Sequence, residues 1–304
     1  MKRIVLSVLV VLALVAGGAF VTYRRQIVSY LTHWKGGPST TVAYVPFEPP
    51  PPIRLAVAGD TGDSGSNLDR LGVSVAALGS DDPYDALLLL GDLVYPSGDP
   101  AALAGVVDEP FGEVFAQGTA LLAILGNHDV KLDRGDEIMA ALGQPGRWWA
   151  RELPVAGATG SILIVGLDST DITNADQLAF VEQTLATSTA TWKVIAVHHP
   201  PYSAGYQGSS LDVREAISPL AVRYGVQLVL SGHDHDYQRS ELIAGVTYVV
   251  SGAGSGTRRT GEEWFTDVAY AFVHHLDIGV FADRLVLRAV GLDGRVADEV
   301  TILP

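Results

Sequence analysis

Cysteine is absent from the 304 residues, and that one absence excludes disulfide staples, thiolate metal sites and a cysteine nucleophile together. Any metal the chain holds is therefore held by oxygen and imidazole nitrogen. Basic residues are also scarce. Lys2, Arg3, Arg24, Arg25 and Lys35 are the charged residues among the first 35, which leaves 15 basic against 34 acidic over the remainder, a net charge of −19. Such a body repels polyanions, which excludes nucleic-acid binding through a basic surface. Repeats and low-complexity tracts are missing as well, and nothing of linker composition interrupts the chain beyond residue 52, so residues 53–304 read as one domain. What is present is a globular composition, 48% hydrophobic and 18% charged, sufficient for a sizeable core.

The N-terminus carries a compartment signal. After Lys2 and Arg3, Ile4 to Thr22 is an uncharged run of 19 residues. At about 1.5 Å per residue it is roughly as long as the ~30 Å hydrocarbon core of a bilayer. A cleavable signal peptide has a shorter apolar region and a small-residue cleavage site, so residues 1–35 are expected to be an uncleaved membrane anchor, with a cleaved signal segment as the alternative. Basic residues flank both ends, which leaves orientation open. Export is the expectation, placing the domain outside the cytoplasm, in a periplasm or at the cell surface, and secreted if the segment is cleaved.

Residues 36–52, "GGPSTTVAYVPFEPPPP", are rich in Gly, Pro, Ser and Thr, and four consecutive prolines favour an extended polyproline conformation, hence a spacer. Beyond Pro52, apolar runs of strand length alternate with amphipathic segments. "IRLAVA" precedes a helix over 66–79, "DALLLL" one over 99–116, and "ALLAIL" one over 133–142. Later come "GSILIVGLD", a helix through "NADQLAFVEQTLATS", "WKVIAVHH", a helix over 212–224 and "VQLVLSGHD". This alternation predicts an α/β sheet with crossover helices. After residue 236, "TYVVSG", "YAFVHHLDIGV", "DRLVLRAVG" and "RVADEVTIL" read as antiparallel strands.

In open α/β sheets, ligands bind beyond the carboxyl ends of the strands, where the loops converge. The chemistry-bearing residues fall there. "LAVAGDTG" delivers Asp60, "LLLLGDLVY" Asp92 and Tyr95, "LLAILGNHD" Asn127, His128 and Asp129, "VIAVHHP" His198 and His199, and "LVLSGHDH" His233 and His235. A lone Gly-Asp after a strand is an ordinary turn, and a lone His-x-His an ordinary surface pair. Five such motifs on successive strands converge on one crevice. Two aspartates, a tyrosine, an asparagine and three histidines suit iron, zinc or manganese. Seven donors exceed the need of one ion, and a carboxylate can bridge two, as in two-metal phosphatases.

The ordered set "GDTG", "GDLVY", "GNHD", "VIAVHH" and "GHDH" resembles the five blocks of the calcineurin-like metallophosphoesterases, and specifically the purple acid phosphatase (tartrate-resistant acid phosphatase-like) branch. Where the superfamily has Asp-x-His in its first block, this chain has Asp60, Thr61 and Gly62; the branch instead supplies a tyrosine in the second block, here Tyr95. The resemblance implies a four-layer αββα sandwich with two mixed β-sheets, preceded here by one N-terminal hydrophobic helix. It implies two metal ions: Fe(III) on Asp60, Asp92, Tyr95 and His235, and Fe(II), zinc or manganese on Asp92, Asn127, His198 and His233, with Asp92 bridging. His198, two residues before Pro200, matches the ligand position rather than His199. His128 resembles the histidine that contacts phosphate or protonates the leaving group. Gln207 stands where some relatives place a further histidine.

Asp129 and Asp234 are expected to orient neighbouring histidines. His274 and His275 are expected to fill a strand interior, and His33 to be inert. Tyr202, Tyr206 and the loop 251–264, with Arg258 and Arg259, are candidates for the pocket rim. The implied activity is hydrolysis of a small phosphate monoester by metal-bound hydroxide, an acid phosphatase-like reaction. The alternatives are a phosphodiesterase or nucleotide pyrophosphatase of the same superfamily, and a non-catalytic membrane-tethered binding protein. Oligomeric state is not legible.

Overall fold

Ile53–Ala58, the first strand of the expected domain, is buried at all six positions, as a strand covered on both faces must be. The computed structural model describes residues 34–154 and 160–304. Within them two seven-stranded sheets face each other. The first runs, edge to edge, β1 (Val42–Ala43), β14 (Arg295–Ile302), β13 (Leu285–Gly291), β12 (His274–Val280), β2 (Ile53–Ala58), β3 (Ala86–Leu89) and β4 (Ala120–Ala123). The second runs β11 (Thr266–Tyr270), β9 (Tyr237–Ser240), β10 (Thr247–Ser251), β8 (Leu228–Ser231), β7 (Trp192–Val197), β6 (Ser161–Leu167) and β5 (Trp149–Pro154). Both are mixed: β2, β3 and β4 are parallel, as are β6, β7, β8 and β10, while the flanking strands pair antiparallel.

The two-residue period of a strand builds the layers. Along β6, Ile162 and Ile164 join the core that includes Leu55, Val57, Leu276 and Ile278 of the first sheet. The intervening Leu163, Val165 and Leu167 pack instead on the helices α4 (Ala175–Thr187) and α5 (Leu211–Arg223), through Val181, Leu185, Val213 and Ile217. On the other side α1 (Ser66–Leu78) brings Leu68, Leu71 and Val75 to the core. The order is therefore helix, sheet, sheet, helix. The sheets are also tied by polar bonds: Trp192 Nε1 donates to the Phe281 carbonyl at 2.7 Å, and Asp298 accepts from Tyr237 Oη and Arg239 Nε at 2.7 Å each.

Several expectations are corrected. The single helix expected over 99–116 is broken into a 3-10 turn (Pro100–Ala102), a π turn (Ala104–Asp108) and the short α2 (Gly112–Ala116). Pro110 has no N–H to carry a helix through, and its carbonyl lies against Gly72 of α1, where a Cβ would come within 1.8 Å. Helix α3 (Gly135–Ala141) lies within the expected 133–142. "TYVVSG" is not purely antiparallel, because β10 pairs parallel with β8. The hydrophobic helix expected from the run 4–22 lies outside the described residues. Among the described residues no helix is long and apolar enough to cross a membrane.

The spacer expected over 36–52 is laid against the domain. Val42 and Ala43 pair with β14, Tyr44 Oη donates to Asp277 at 2.8 Å, and Arg288 donates to the Val45 carbonyl at 2.8 Å. Beneath it the buried Arg54 guanidinium donates to Asp277 at 2.8 Å and to the carbonyls of Leu78 and Asp82 at 2.9 and 2.6 Å. A proline-rich segment has few amides for a ladder, but arginines on its neighbours satisfy its carbonyls.

Candidate metal centre

At the carboxyl end of β2 the chain turns through Asp60, with φ +56°, and after β3 through Gly91 and Asp92, with φ +85° and +51°. A positive φ at a non-glycine residue is strained, and here both turns aim a carboxylate into the space between the sheets. Gly126, after β4, approaches Asp92 so closely that a Cβ would lie 2.2 Å from the Asp92 nitrogen. The loops are knitted together: Asp60 N donates to the Gly91 carbonyl, Gly62 N to the Asp92 carbonyl, and Tyr95 N to the Gly62 carbonyl, at 3.0 to 3.1 Å.

One group of donors forms around Asp60. Its Oδ1 lies 3.2 Å from Tyr95 Oη and 3.4 Å from His235 Nε2, and those two are 3.2 Å apart. Its Oδ2 accepts the His233 N–H at 2.7 Å. A second group forms around Asp92, whose Oδ1 lies 3.5 Å from His198 Nε2 and accepts the His128 N–H at 2.8 Å. His198 Nε2 is 3.3 Å from Asn127 Oδ1, and the His198 and His233 rings are 5.2 Å apart. His198 Nδ1 is taken by the Leu90 carbonyl at 2.8 Å, which leaves Nε2 as the nitrogen facing the site.

Ligand-type atoms of Asp60, Asp92 and His198 all lie within 4.8 Å of one another, as do those of His198, His199 and His233. All seven donors expected from the sequence are thus brought together. His199 is closer to them than the sequence showed: its ring lies 4.4 Å from that of His233, while its Nδ1 is bonded to Ser169 Oγ at 2.7 Å.

The protonation states reflect burial. Desolvation raises Asp60 to about 6, against the pull of His235. It lowers His233 to about 2, helped by His198 and His199, and holds His198 well below the usual imidazole value. His235 is likewise opposed by burial, but the Asp60 carboxylate holds it above the ordinary value. Burial, with the charges of Asp60 and Asp92, pushes the Tyr95 phenol far above its ordinary range. Neutral imidazoles and closely spaced carboxylates compensate each other poorly on their own; a cationic group between them fits this donor set.

Asp129 and Asp234 are corrected. Neither orients an imidazole. Asp129 accepts the N–H groups of Leu93, Val94 and Gly126 at 2.8 to 3.0 Å, locking the β3 and β4 loops together; burial and then the Asp92 charge raise it to about 7. Asp234 accepts Ser203 Oγ and the N–H groups of Gln207 and Gly208 at 2.5, 2.6 and 3.1 Å. His274 is satisfied by Ser251 Oγ of β10, across the gap between the sheets, and by the Phe272 carbonyl, at 3.0 and 2.9 Å. His275 is fully buried and, among the described residues, without a hydrogen-bond partner at either nitrogen. Both lie in β12, as expected. His33 lies outside the described residues.

The centre opens into a cavity of about 460 Å³ whose lining includes Asp92, Tyr95, Asn127, His128, His233 and His235. Arg258, Gln207 and Ser255 line it too. His128 stands half-buried at the mouth, edge-on to Tyr95, with Nε2 4.0 Å from Asp92 Oδ2 and Nδ1 2.8 Å from the Pro96 carbonyl. Lys131 Nζ lies 2.9 Å from the same Nδ1. Its spacing of three residues after His128 in "HDVK" was the signal available in the sequence. A second hollow, about 610 Å³, shares Asn127, Gln207 and His233 and adds Ser169, His199, Ser210 and Asp212.

Two facing mixed sheets whose parallel strands end on a crowd of carboxylate, phenol, amide and imidazole donors define a metal-dependent phosphoester hydrolase class. Residues 53–237 match the calcineurin-like phosphoesterase family, and the chain belongs to it. Members of that family use metal ions. Among curated proteins, purple acid phosphatase 17 of Arabidopsis thaliana is 25% identical over 67% of this chain and 68% of its own length. Tartrate-resistant acid phosphatase type 5 of Oryctolagus cuniculus is 26% identical over 67% of this chain and 74% of its own.

Among solved structures, GAP50, the anchor in the inner membrane complex of Plasmodium, superposes with a TM-score of 0.73 at 16% identity. The alignment covers 83% of this chain and 88% of that one. Purple acid phosphatase PPD1 of yellow lupin (Lupinus luteus) gives 0.71 at 19%, covering 83% and 53%. These identities establish the fold shared with the purple acid phosphatases.

Proposed function

We propose that the chain hydrolyses phosphate monoesters at a dinuclear centre, with Fe(III) held by Asp60, Asp92, Tyr95 and His235 and Fe(II), zinc or manganese by Asp92, Asn127, His198 and His233. The observation that carries this reading is the position of Asp92, buried between the Asp60–Tyr95–His235 group and the Asn127–His198–His233 group. Tyr95 supports the trivalent assignment: a phenol whose ionisation is opposed by burial and two carboxylates ionises only against a strongly acidifying cation. When bound, the ions supply the positive charge that receives the phosphoryl oxygens and lowers the pKa of water.

The chain's own groups do the rest. The neutral His198 and His233 bind without first releasing a proton. Asp129 and Asp234 fix the loops that carry the donors. His128 presents Nε2 at the cavity mouth, where it stabilises or protonates the departing alkoxide. Gln207 is not an acid, so this role leans on His128. Arg258, which lines the same cavity, draws in the dianionic ester. The acidic body disfavours nucleic acid, and residues 1–35 tether the domain outside the cytoplasm.

A second reading, phosphodiester or nucleotide pyrophosphate hydrolysis, is favoured by the adjoining 610 Å³ hollow, which offers room for a second ester arm. Metal-loaded protein assayed against matched monoesters and diesters separates them. Turnover of monoesters with diesters inert supports the first reading; diester turnover at equal or higher kcat/KM replaces it with the second.

A further inference from the structure

The chain that follows the apolar N-terminal run does not reach the domain at a remote edge. Lys35 is bridged in both directions to Thr260, N–H to carbonyl at 3.1 Å and back at 3.3 Å, and its ammonium pairs with Glu262. Ala271 N donates to the Gly36 carbonyl at 2.8 Å. Thr260 lies two residues beyond Arg258, which lines the metal cavity, and the Arg258 N–H donates to the carbonyl of the candidate ligand His235 at 2.8 Å. The loop that receives the incoming chain is therefore the loop that rims the cavity.

That loop and its neighbours expose large apolar side chains. Trp264 is 74% and Trp34 64% exposed. Leu242, also exposed, follows Glu241, whose N–H donates to the Phe265 carbonyl at 2.8 Å. Single exposed apolar residues need no explanation; here two tryptophans stand exposed, one at the chain entry and one on the loop that receives it. The same loop exposes Arg258 and Arg259 and, directly before Trp264, Glu262 and Glu263. Tryptophan is enriched at membrane–water interfaces, where its ring sits at headgroup level.

Chain length selects the occupant. Between Thr22, the end of the apolar run, and Trp34 lie 11 residues, which reach at most about 40 Å fully extended. An anchor at residues 4–22 thus holds the loop 256–264 within that distance of the bilayer. We infer that this loop, with Trp34 and Trp264, docks on the surface of the bilayer that holds the chain's own N-terminal segment. The metal cavity then opens at headgroup level, suited to phosphate esters presented from that surface.

The test uses the full chain reconstituted into phosphatidylcholine–phosphatidylglycerol vesicles carrying a doxyl quencher near the headgroups, and reads tryptophan fluorescence, which is independent of catalysis. Wild-type protein floats with the vesicles and is quenched, and the double variant Trp34→Phe, Trp264→Phe loses most of that quenching, since the remaining Trp148, Trp149 and Trp192 are partly or fully buried. Both replaced residues are exposed, so folding is preserved, as near-ultraviolet circular dichroism verifies. Failure of the chain to float, or equal quenching in wild type and variant, overturns the docking while leaving the phosphatase reading untouched.

Discussion

The two sheets contribute unlike halves to one centre. The first sheet sends oxygen: Asp60, Asp92, Tyr95 and Asn127 stand beyond β2, β3 and β4. The second sends nitrogen: His198, His233 and His235 stand beyond β7 and β8. The oxygen half is positioned by backbone, through positive φ at Asp60 and Asp92 and the amides gathered by Asp129. The nitrogen half uses backbone too, through φ +71° at His233 and the Leu90 carbonyl on His198, and its burial keeps His198 and His233 neutral. The difference teaches that the centre exists only where the sheets face each other. Hard anionic donors and neutral imidazoles are supplied from opposite sides, and Asp60 already crosses the seam by accepting the His233 N–H.

Breaking the oxygen half has the largest expected effect. Asp92→Asn removes the carboxylate nearest both donor groups, and activity is expected to fall by at least about 10²–10³-fold, the scale of losing one electrostatic element of a reaction centre. Steady-state kinetics with metal content per chain checks it, with fewer than two ions retained. Breaking the nitrogen half is more selective. His198→Ala is expected to weaken only the ion on the Asn127 side, by more than the about 10–100-fold that outer partners of metal ligands are worth. Metal titration should show the Asp60–Tyr95–His235 ion still bound.

The sharpest contrast within one residue type comes from the first sheet's own imidazoles. His274 and His275 lie inside β12 and touch no part of the centre. Burial lowers them to about 4 and about 3, against about 6.5 unfolded. Above pH 6.5 both states are neutral and the effect is nil. As pH falls below 6.5 the unfolded chain takes up protons that the folded chain refuses, so stability is lost down to about pH 3. His275→Leu removes a buried ring without partners and should flatten that acid limb, with little change at pH 8, in thermal melts across pH.

Much of this was legible because it rests on local pattern. The buried runs of β2, β3, β7 and β8 mark themselves as covered strands, and the convergence of strand ends gathers all seven donors without knowledge of the register. What was not legible depends on neighbours. β1 is two residues in a proline-rich stretch, and it becomes a strand only because β14 lies beside it. β9 is "YQRS", polar in sequence yet mostly buried between β10 and β11. The work of Asp129 and Asp234 escaped because most of their partners, Leu93, Val94, Ser203, Gln207 and Gly208, stand on loops distant in sequence. Arg258 belongs to the rim only through the His235 carbonyl, and the entry of the chain beside it only through Thr260.

The central claim is that a phenolate from the oxygen half shares one trivalent ion with His235 from the nitrogen half. Metal analysis joined to the visible spectrum of wild type and Tyr95→Phe tests it most directly. The expected result is bound iron with a tyrosinate-to-iron charge-transfer band in the wild type, absent in Tyr95→Phe and retained in His198→Ala. Purified protein without iron, or a band unchanged in Tyr95→Phe, contradicts the account.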